Sequence, residues 1–267
     1  MKNMKKLIFA LCLLTALPIL SISADTLVLA HKTSQLVIPL NRGNIECSID
    51  MQFPVNATKT LCGNIATRLN ASVCRALDLK ALAETPALPL TDIENNFVKL
   101  ISSQMQTIKR DAKATGLTLD VLMQREYETA QLITFRIETV YYGLDGNRKQ
   151  LTDRITLLKS NGKVLTWADM LNKKQKERFC RAAARSLNGY FGVMDYINLK
   201  NALTIAPNTA ETSFPLPTGG PAINADGLCL LYAPGEICSP DKGQPSGNLK
   251  LQSVWNCLSP AAKKWLK

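Results

Sequence analysis

Apolar and polar residues alternate along the first part of the chain. Ile45, Cys47, Ile49 and Met51 are interleaved with Glu46, Ser48, Asp50 and Gln52, the period of a half-buried strand, and Pro54 marks its end. Leu27 to Leu40 predicts an earlier strand, with Thr33-Ser34 as a candidate break. From about Thr60 the period lengthens. Leu61, Ile65, Leu69 and Val73 recur at helical spacing and Leu77 extends the stripe. Thr85-Pro86 to Leu90 reads as a connector. Thr91-Asp92-Ile93-Glu94 has the form of a capping box for a second helix, with Phe97, Leu100, Ile101, Met105 and Ile108 on one face and Gly116 as its stop.

A sheet is predicted from near Glu126. Ile133, Phe135, Ile137, Thr139 and Tyr141 form one face, with Thr134, Arg136 and Glu138 on the other. Asp145-Gly146 is a hairpin signal, and the return strand carries Leu151, Ile155 and Leu157. Asn161-Gly162 marks a tight turn. Thr166 then caps Trp167 to Leu171, with Asp169 three residues on to complete the box. Asn172 is placed as the cap of a basic helix, Lys173 to Leu187, with Phe179, Ala183 and Leu187 as its apolar seam and Gly189 beyond its end. Residues 204–221, rich in Pro, Thr, Ser and Gly, predict a long loop. Gly227 to Tyr232 predicts a short strand, and Pro240 to Gly247 another loop. Leu249 and Leu251 suggest a last strand, and Ser259-Pro260 opens a final helix. The sum is an α+β fold: antiparallel sheets with helices packed on one face, in two closely packed modules.

The N-terminus adds a compartment. Lys2, Lys5 and Lys6 precede an apolar run from Leu7 to Leu20, and Ser21-Ile22-Ser23-Ala24 supplies small residues, so residues 1–24 read as a signal peptide cleaved after Ala24. The run falls short of the roughly 20 residues of a membrane span. Leu11 stands where a lipobox wants a small residue, which argues against lipid attachment at Cys12. The expectation is an exported protein, periplasmic or secreted, with no later transmembrane span. The chain carries +11, and loss of the leader lysines leaves +8. That surplus favours an anionic partner, such as a wall polymer, a phospholipid surface or an acidic protein. Nucleic acid fits the charge but not the leader.

Eight cysteines become seven without Cys12. Cys62 and Cys74, in one predicted helix, would stand about 18 Å apart, beyond disulfide reach. Cys229 and Cys238 flank the turn at Ala233-Pro234 and are the disulfide candidates. Cys47, Cys180 and Cys257 are left unassigned, buried thiol being the plain expectation. The single histidine, His31, leaves no histidine-based zinc site, and there are no CxxC pairs for an all-cysteine one. No metal or cofactor is expected. A Ser-His-Asp or Cys-His mechanism would depend on that one residue near the N-terminus.

The order of "SIDMQFPV", "GNIATRLNASV", the long hairpin, "NGKVLTWADML", the basic helix, "ADGLCLLYAPGEI" and "GNLKLQSVWNCLSP" resembles the extracytoplasmic module pair of the RsiV anti-sigma factor family. That pair also stands beside the catalytic domain of PdaC-like peptidoglycan deacetylases. The resemblance implies a first module at 25–141, a second at 142–267, and a binding role outside the cytoplasm towards a wall glycan or a protein such as lysozyme. The family hairpin typically carries a Gly-Gly-Ala-His turn. Here Tyr142-Gly143-Leu144-Asp145-Gly146-Asn147 stands in its place, with no histidine.

The primary functional expectation is therefore a non-catalytic binding or sensing domain for a cell-envelope ligand. Tyr142, Asp145 and Arg148 at the hairpin tip are its candidate contacts, because loops carry recognition. Trp167 and Trp255 fit apolar seams and are expected in the core rather than as glycan platforms. The alternative is a peptidoglycan hydrolase using two carboxylates across a cleft, drawn from Asp145, Asp153, Asp226 and Glu236.

Overall fold

The computed structural model describes residues 27–39, 44–77, 95, 99, 117–142 and 148–267. The expected leader, Cys12, the hairpin-tip Asp145 and most of the expected second helix lie outside these residues. Of that helix, Asn95 and Lys99 are described, and both are helical.

The alternating segments form one sheet with strand order β1-β2-β3-β4-β5. Its strands are β1 (Leu29–Pro39), β2 (Asn44–Pro54), β3 (Leu117–Glu128), β4 (Leu132–Tyr142) and β5 (Arg148–Leu158). All neighbours are antiparallel except β2 and β3, which run parallel from Ile45↔Leu117 to Met51↔Met123. A parallel pair needs a long crossover, and residues 55–116 supply it. β1 runs unbroken through Thr33-Ser34, because every residue there pairs with β2. The sheet also begins earlier than expected. Leu117, Leu119, Val121 and Met123 already alternate inward, nine residues before Glu126.

Helix α1 (Lys59–Ala76) covers the apolar face. Thr58 caps it, its hydroxyl accepting from Leu61 N at 3.2 Å. Leu61, Ile65, Leu69 and Val73 are fully buried against Ile133, Phe135, Ile137, Ile155 and Leu157 of β4 and β5. At roughly 1.5–3 kcal/mol per buried side chain, this stripe is what fixes the helix to the sheet.

The second half follows the expected order. The capping box forms, with Thr166 Oγ1 accepting from Asp169 N and Asp169 Oδ2 accepting from Thr166 N at 3.0 Å, and it opens α2 (Trp167–Met170). Asn172 caps a short 3₁₀ turn at Lys173–Gln175 that runs into α3 (Lys176–Ser186). Phe179, Ala183 and Leu187 are buried as its seam. Gly189 does not end the helical run. It lies inside α4 (Asn188–Phe191), and Gly192, left-handed at φ 63°, is the stop. Helix α5 (Tyr196–Asn201) follows, capped by Asp195. A three-stranded antiparallel sheet then forms from β6 (Ala222–Asn224), β7 (Gly227–Leu231) and β8 (Ser246–Leu249). Leu251, expected in the last strand, instead starts α6 (Leu251–Val254), and α7 (Pro260–Trp265) closes the chain under the Ser259 cap. The C-terminal turn is tied to α2, with Ser259 N donating to Met170 O and Asn172 N to Cys257 O, both at 2.8 Å.

Two buried clusters result. One lies between the large sheet and α1 and reaches Leu157; the other joins Leu132 and Leu158, at the far end of the β4–β5 pair, to buried residues of the C-terminal half. The boundary expected at 141/142 falls within the β4–β5 hairpin, which is paired along its whole length from Leu132↔Leu158 to Tyr142↔Arg148. The polar face of the large sheet receives β6, beside the buried Thr134–Thr156 hydroxyl pair at 2.9 Å and the bidentate Arg154–Glu126 pair at 2.6 and 2.8 Å. Among the described residues, no helix is long and apolar enough to cross a membrane.

Candidate functional site

Strand β5 interrupts its apolar alternation with a charge. Leu151, Asp153, Ile155 and Leu157 share the face under α1, and Asp153 is 5% exposed. The helix answers it. Arg68 and Arg75 are seven residues apart, two turns on one side of α1, at the margin of the Leu61 stripe. Arg68 Nη1 lies 3.4 Å from Asp153 Oδ1, and Arg75 Nη2 donates to Asp153 Oδ2. Arg154 N also donates to Asp153 Oδ1 at 2.9 Å. Among the described residues, Arg75 Nε finds no acceptor.

The C-terminal half of the chain closes this place from the other side. Arg68 Nη2 donates to Gly219 O at 2.9 Å. Gln244 takes the position of a neighbouring strand at the edge of β5. Its Oε1 accepts from Thr152 N at 2.6 Å and its Nε2 donates to Thr152 O at 2.9 Å. Glu236 accepts Thr218 N and Ala233 N at 2.6 and 2.7 Å, which pins two loops together.

Two adjoining cavities share Arg75, Ala233 and Gln244 as walls. The inner one, about 110 Å³, holds Arg68, Asp153 and Glu236. That is room for a few water molecules. The outer one, about 580 Å³, opens between Arg148, Lys149 and Leu151 on β5 and Pro234, Pro240 and Gly243 on the facing loops. Together they make a groove with Arg68, Arg75, Arg148 and Lys149 as cations and Asp153 and Glu236 as acids.

Of the expected hairpin contacts, Arg148 lines the groove. Tyr142, 40% exposed, stands behind it as its cross-strand partner, with the guanidinium carbon 5.8 Å from the ring centre. Arg68, Arg75, Lys149 and Gln244 were not singled out from the sequence. The arginines left a trace there, as two cations seven residues apart beside an apolar stripe. Gln244 left none. Of the hydrolase carboxylates, Asp153 and Glu236 share the inner cavity, whereas Asp226 is exposed in the β6–β7 turn.

Cys229 and Cys238 are free buried thiols. The strand antiparallel to β7 brings Asn248 opposite Cys229, and Cys238 lies in the loop between β7 and β8. Burial raises the pKa of both thiols. Cys62 and Cys74 lie in α1 as expected, neither in a disulfide among the described residues, and Cys47 is pushed up to about 12 by burial and then by Asp120. His31 sits on β1 with Nε2 2.5 Å from Asp50 Oδ1. Trp167 and Trp255 are half-buried: Trp167 Nε1 donates to Pro217 O at 2.8 Å, and Lys263 Nζ lies 6.0 Å from the centre of the Trp255 ring.

The fold is shared with solved proteins. A DUF3298 family protein from Pseudomonas aeruginosa PAO1 superposes with a TM-score of 0.59 at 14% identity, over 90% of this chain and 97% of that one. A DUF3298 family member from Bacteroides fragilis superposes with a TM-score of 0.60, also at 14% identity, over 91% and 98%. No family model matches the sequence, and no curated protein matches it.

Proposed function

We propose that this chain is an exported, non-catalytic binding or sensing domain for an anionic cell-envelope ligand, and that the groove along β5 receives it. The observation that carries this reading is the excess of cations over acids in the groove. Both acids are already committed: Asp153 to two arginines and a backbone amide, Glu236 to two backbone amides. Four cations against two acids leave the groove lining net positive, which favours an anionic ligand. Export rests on the leader pattern. The narrower kinship, to the RsiV and PdaC-associated modules, rests on the quoted sequence blocks, and the shared fold does not conflict with it.

The experiment is retention of the purified protein on peptidoglycan sacculi, with immobilised lysozyme as a parallel arm. Retention on sacculi that weakens with salt is expected. Reversing two groove charges, as in R148E/K149E, is expected to weaken it on the order of tenfold, the scale of two partly screened ion pairs. Retention on lysozyme alone replaces the anionic ligand with a protein one, and retention on neither removes the reading.

The hydrolase alternative draws on Asp153 and Glu236 lining one cavity. A glycosidase needs one carboxyl poised to give up a proton and another facing water or the sugar. All four oxygens here already accept hydrogen bonds. Muropeptide release from sacculi that is lost in E236Q would overrule this argument.

A further inference from the structure

A second cavity, of about 740 Å³, lies in the C-terminal half, and its lining shares no residue with the groove. Its volume is in the range of small-ligand pockets, and it is open to solvent along Ala168, Lys173, Lys176 and Ser213. Trp167 from α2, Leu171 just after it, Cys180 from α3, and Phe214 and Leu216 from the long loop make its walls. The Trp167 ring is held from both ends, by its Nε1 bond to Pro217 O and by Phe179 at 5.6 Å between centroids. Phe214 is fixed edge-on against Tyr196 and Tyr232. Cys180 is 1% exposed, and burial raises its pKa against the opposing effect of Lys176, so it presents a protonated, apolar thiol.

The charged groups of the lining are at the start of the basic helical segment, and Thr212 and Ser213 add hydroxyls from the facing loop. Lys173 and Lys176 are exposed there, with Glu177 one turn from Lys173. Two ammonium groups against one carboxylate stand beside an open, mainly apolar groove. We infer that this cavity binds a free single-chain anionic amphiphile, a fatty-acid carboxylate whose chain lies along Trp167, Leu171, Phe214 and Leu216 and whose head meets Lys173 and Lys176. Polar heads of the other sign would face the lysines unfavourably, and an uncharged head would gain nothing from them. This explains why Lys173 and Lys176, on a segment otherwise readable as a solvated basic face, sit next to half-buried aromatic surface.

The test is titration calorimetry on the purified protein, expressed with its own leader and with its N-terminus verified. The ligands share one chain and differ in head: laurate, dodecanol and dodecylamine, each below its micelle concentration, with phosphatidylglycerol vesicles as a separate arm. Saturable laurate binding is expected, tighter than that of dodecanol and dodecylamine. Shortening the chain by two carbons should weaken it about tenfold. K173E/K176E should weaken laurate and strengthen dodecylamine, and L216W, which fills the half-buried loop side of the cavity, should abolish both. Equal binding of laurate and dodecanol, indifference to L216W in a variant that melts like the parent, or binding to vesicles alone would each overturn the inference. R148E/K149E should leave laurate binding unchanged, which separates failure here from failure of the groove.

Discussion

Asp153 occupies a β5 position whose same-face neighbours, Leu151, Ile155 and Leu157, are buried hydrophobics, and Arg68 and Arg75 reach it there. Removing one member of such a group strands the others. D153N is expected to cost roughly 2–3 kcal/mol in urea unfolding, below the full penalty for a buried pair because both arginines retain some water. Asp169 makes the opposite bargain with solvent. Burial alone would raise its pKa, but the hydrogen bonds from Lys163 and Thr166 outweigh burial and hold it below the ordinary carboxylate value. A lowered carboxylate pKa contributes stability that is complete above the unfolded value and lost as pH falls through the folded one. Acid titration of stability in D169N should therefore flatten below about pH 4 relative to the parent, and T166A should lose about 1 kcal/mol at neutral pH. The Thr166–Asp169 box was legible in the sequence because its partners are three residues apart. The Asp153 cluster was not, because its arginines stand 85 and 78 residues away and nothing local records that distance. The thiols belong to this scale too. Six of the seven described cysteines are buried and Cys62 is half-buried. A native thiol assay should find Cys62 reacting first and the rest only on unfolding, whereas a total short by two would show a disulfide such as Cys229–Cys238.

Among the elements, the Asn161-Gly162 turn does more than reverse the chain. Gly162 sits at φ 71°, and a Cβ there would fall 2.4 Å from Leu61 N at the start of α1. The same turn accepts Asn64 Nδ2 at its Gly162 carbonyl, 2.9 Å away, so it is a seat for the helix N-terminus. G162A combines a left-handed backbone with a clash against main chain and is expected to lose roughly 2–4 kcal/mol. At Gly189, inside α4, an added Cβ meets nothing within 4 Å. G189A should be neutral or gain up to about 1 kcal/mol by helix propensity. Thermal melts of the two variants side by side check the contrast. The sequence showed Asn161-Gly162 as a turn, yet not as a packing surface, since the helix it meets lies about a hundred positions earlier. The start of β3 escaped for a related reason. Leu117 to Met123 alternate plainly, but the partner is parallel, so no hairpin turn announces it, and Gly116 just before it reads as a helix stop.

At the scale of the whole molecule, a net charge of +11 complicates any claim about one groove, because a basic protein adheres to anionic polymers wherever its cations lie. Location has to be separated from total charge. R148E/K149E and K264E/K267E change the net charge by the same amount. The first pair alters the lining of the outer cavity, and the second alters exposed residues at the C-terminus that line neither part of the groove. If the field of the whole protein governs retention on sacculi, the two variants lose affinity equally and both losses vanish together with salt. If the groove governs it, R148E/K149E loses on the order of tenfold while K264E/K267E stays within about twofold of the parent. The discriminating condition is salt near physiological strength. There the Debye length is about 8 Å, so charges remote from the contact are screened while those at it still act. Equal losses under that condition would leave the groove as a structural joint between the sheet, α1 and the loops of the second half, with no ligand of its own.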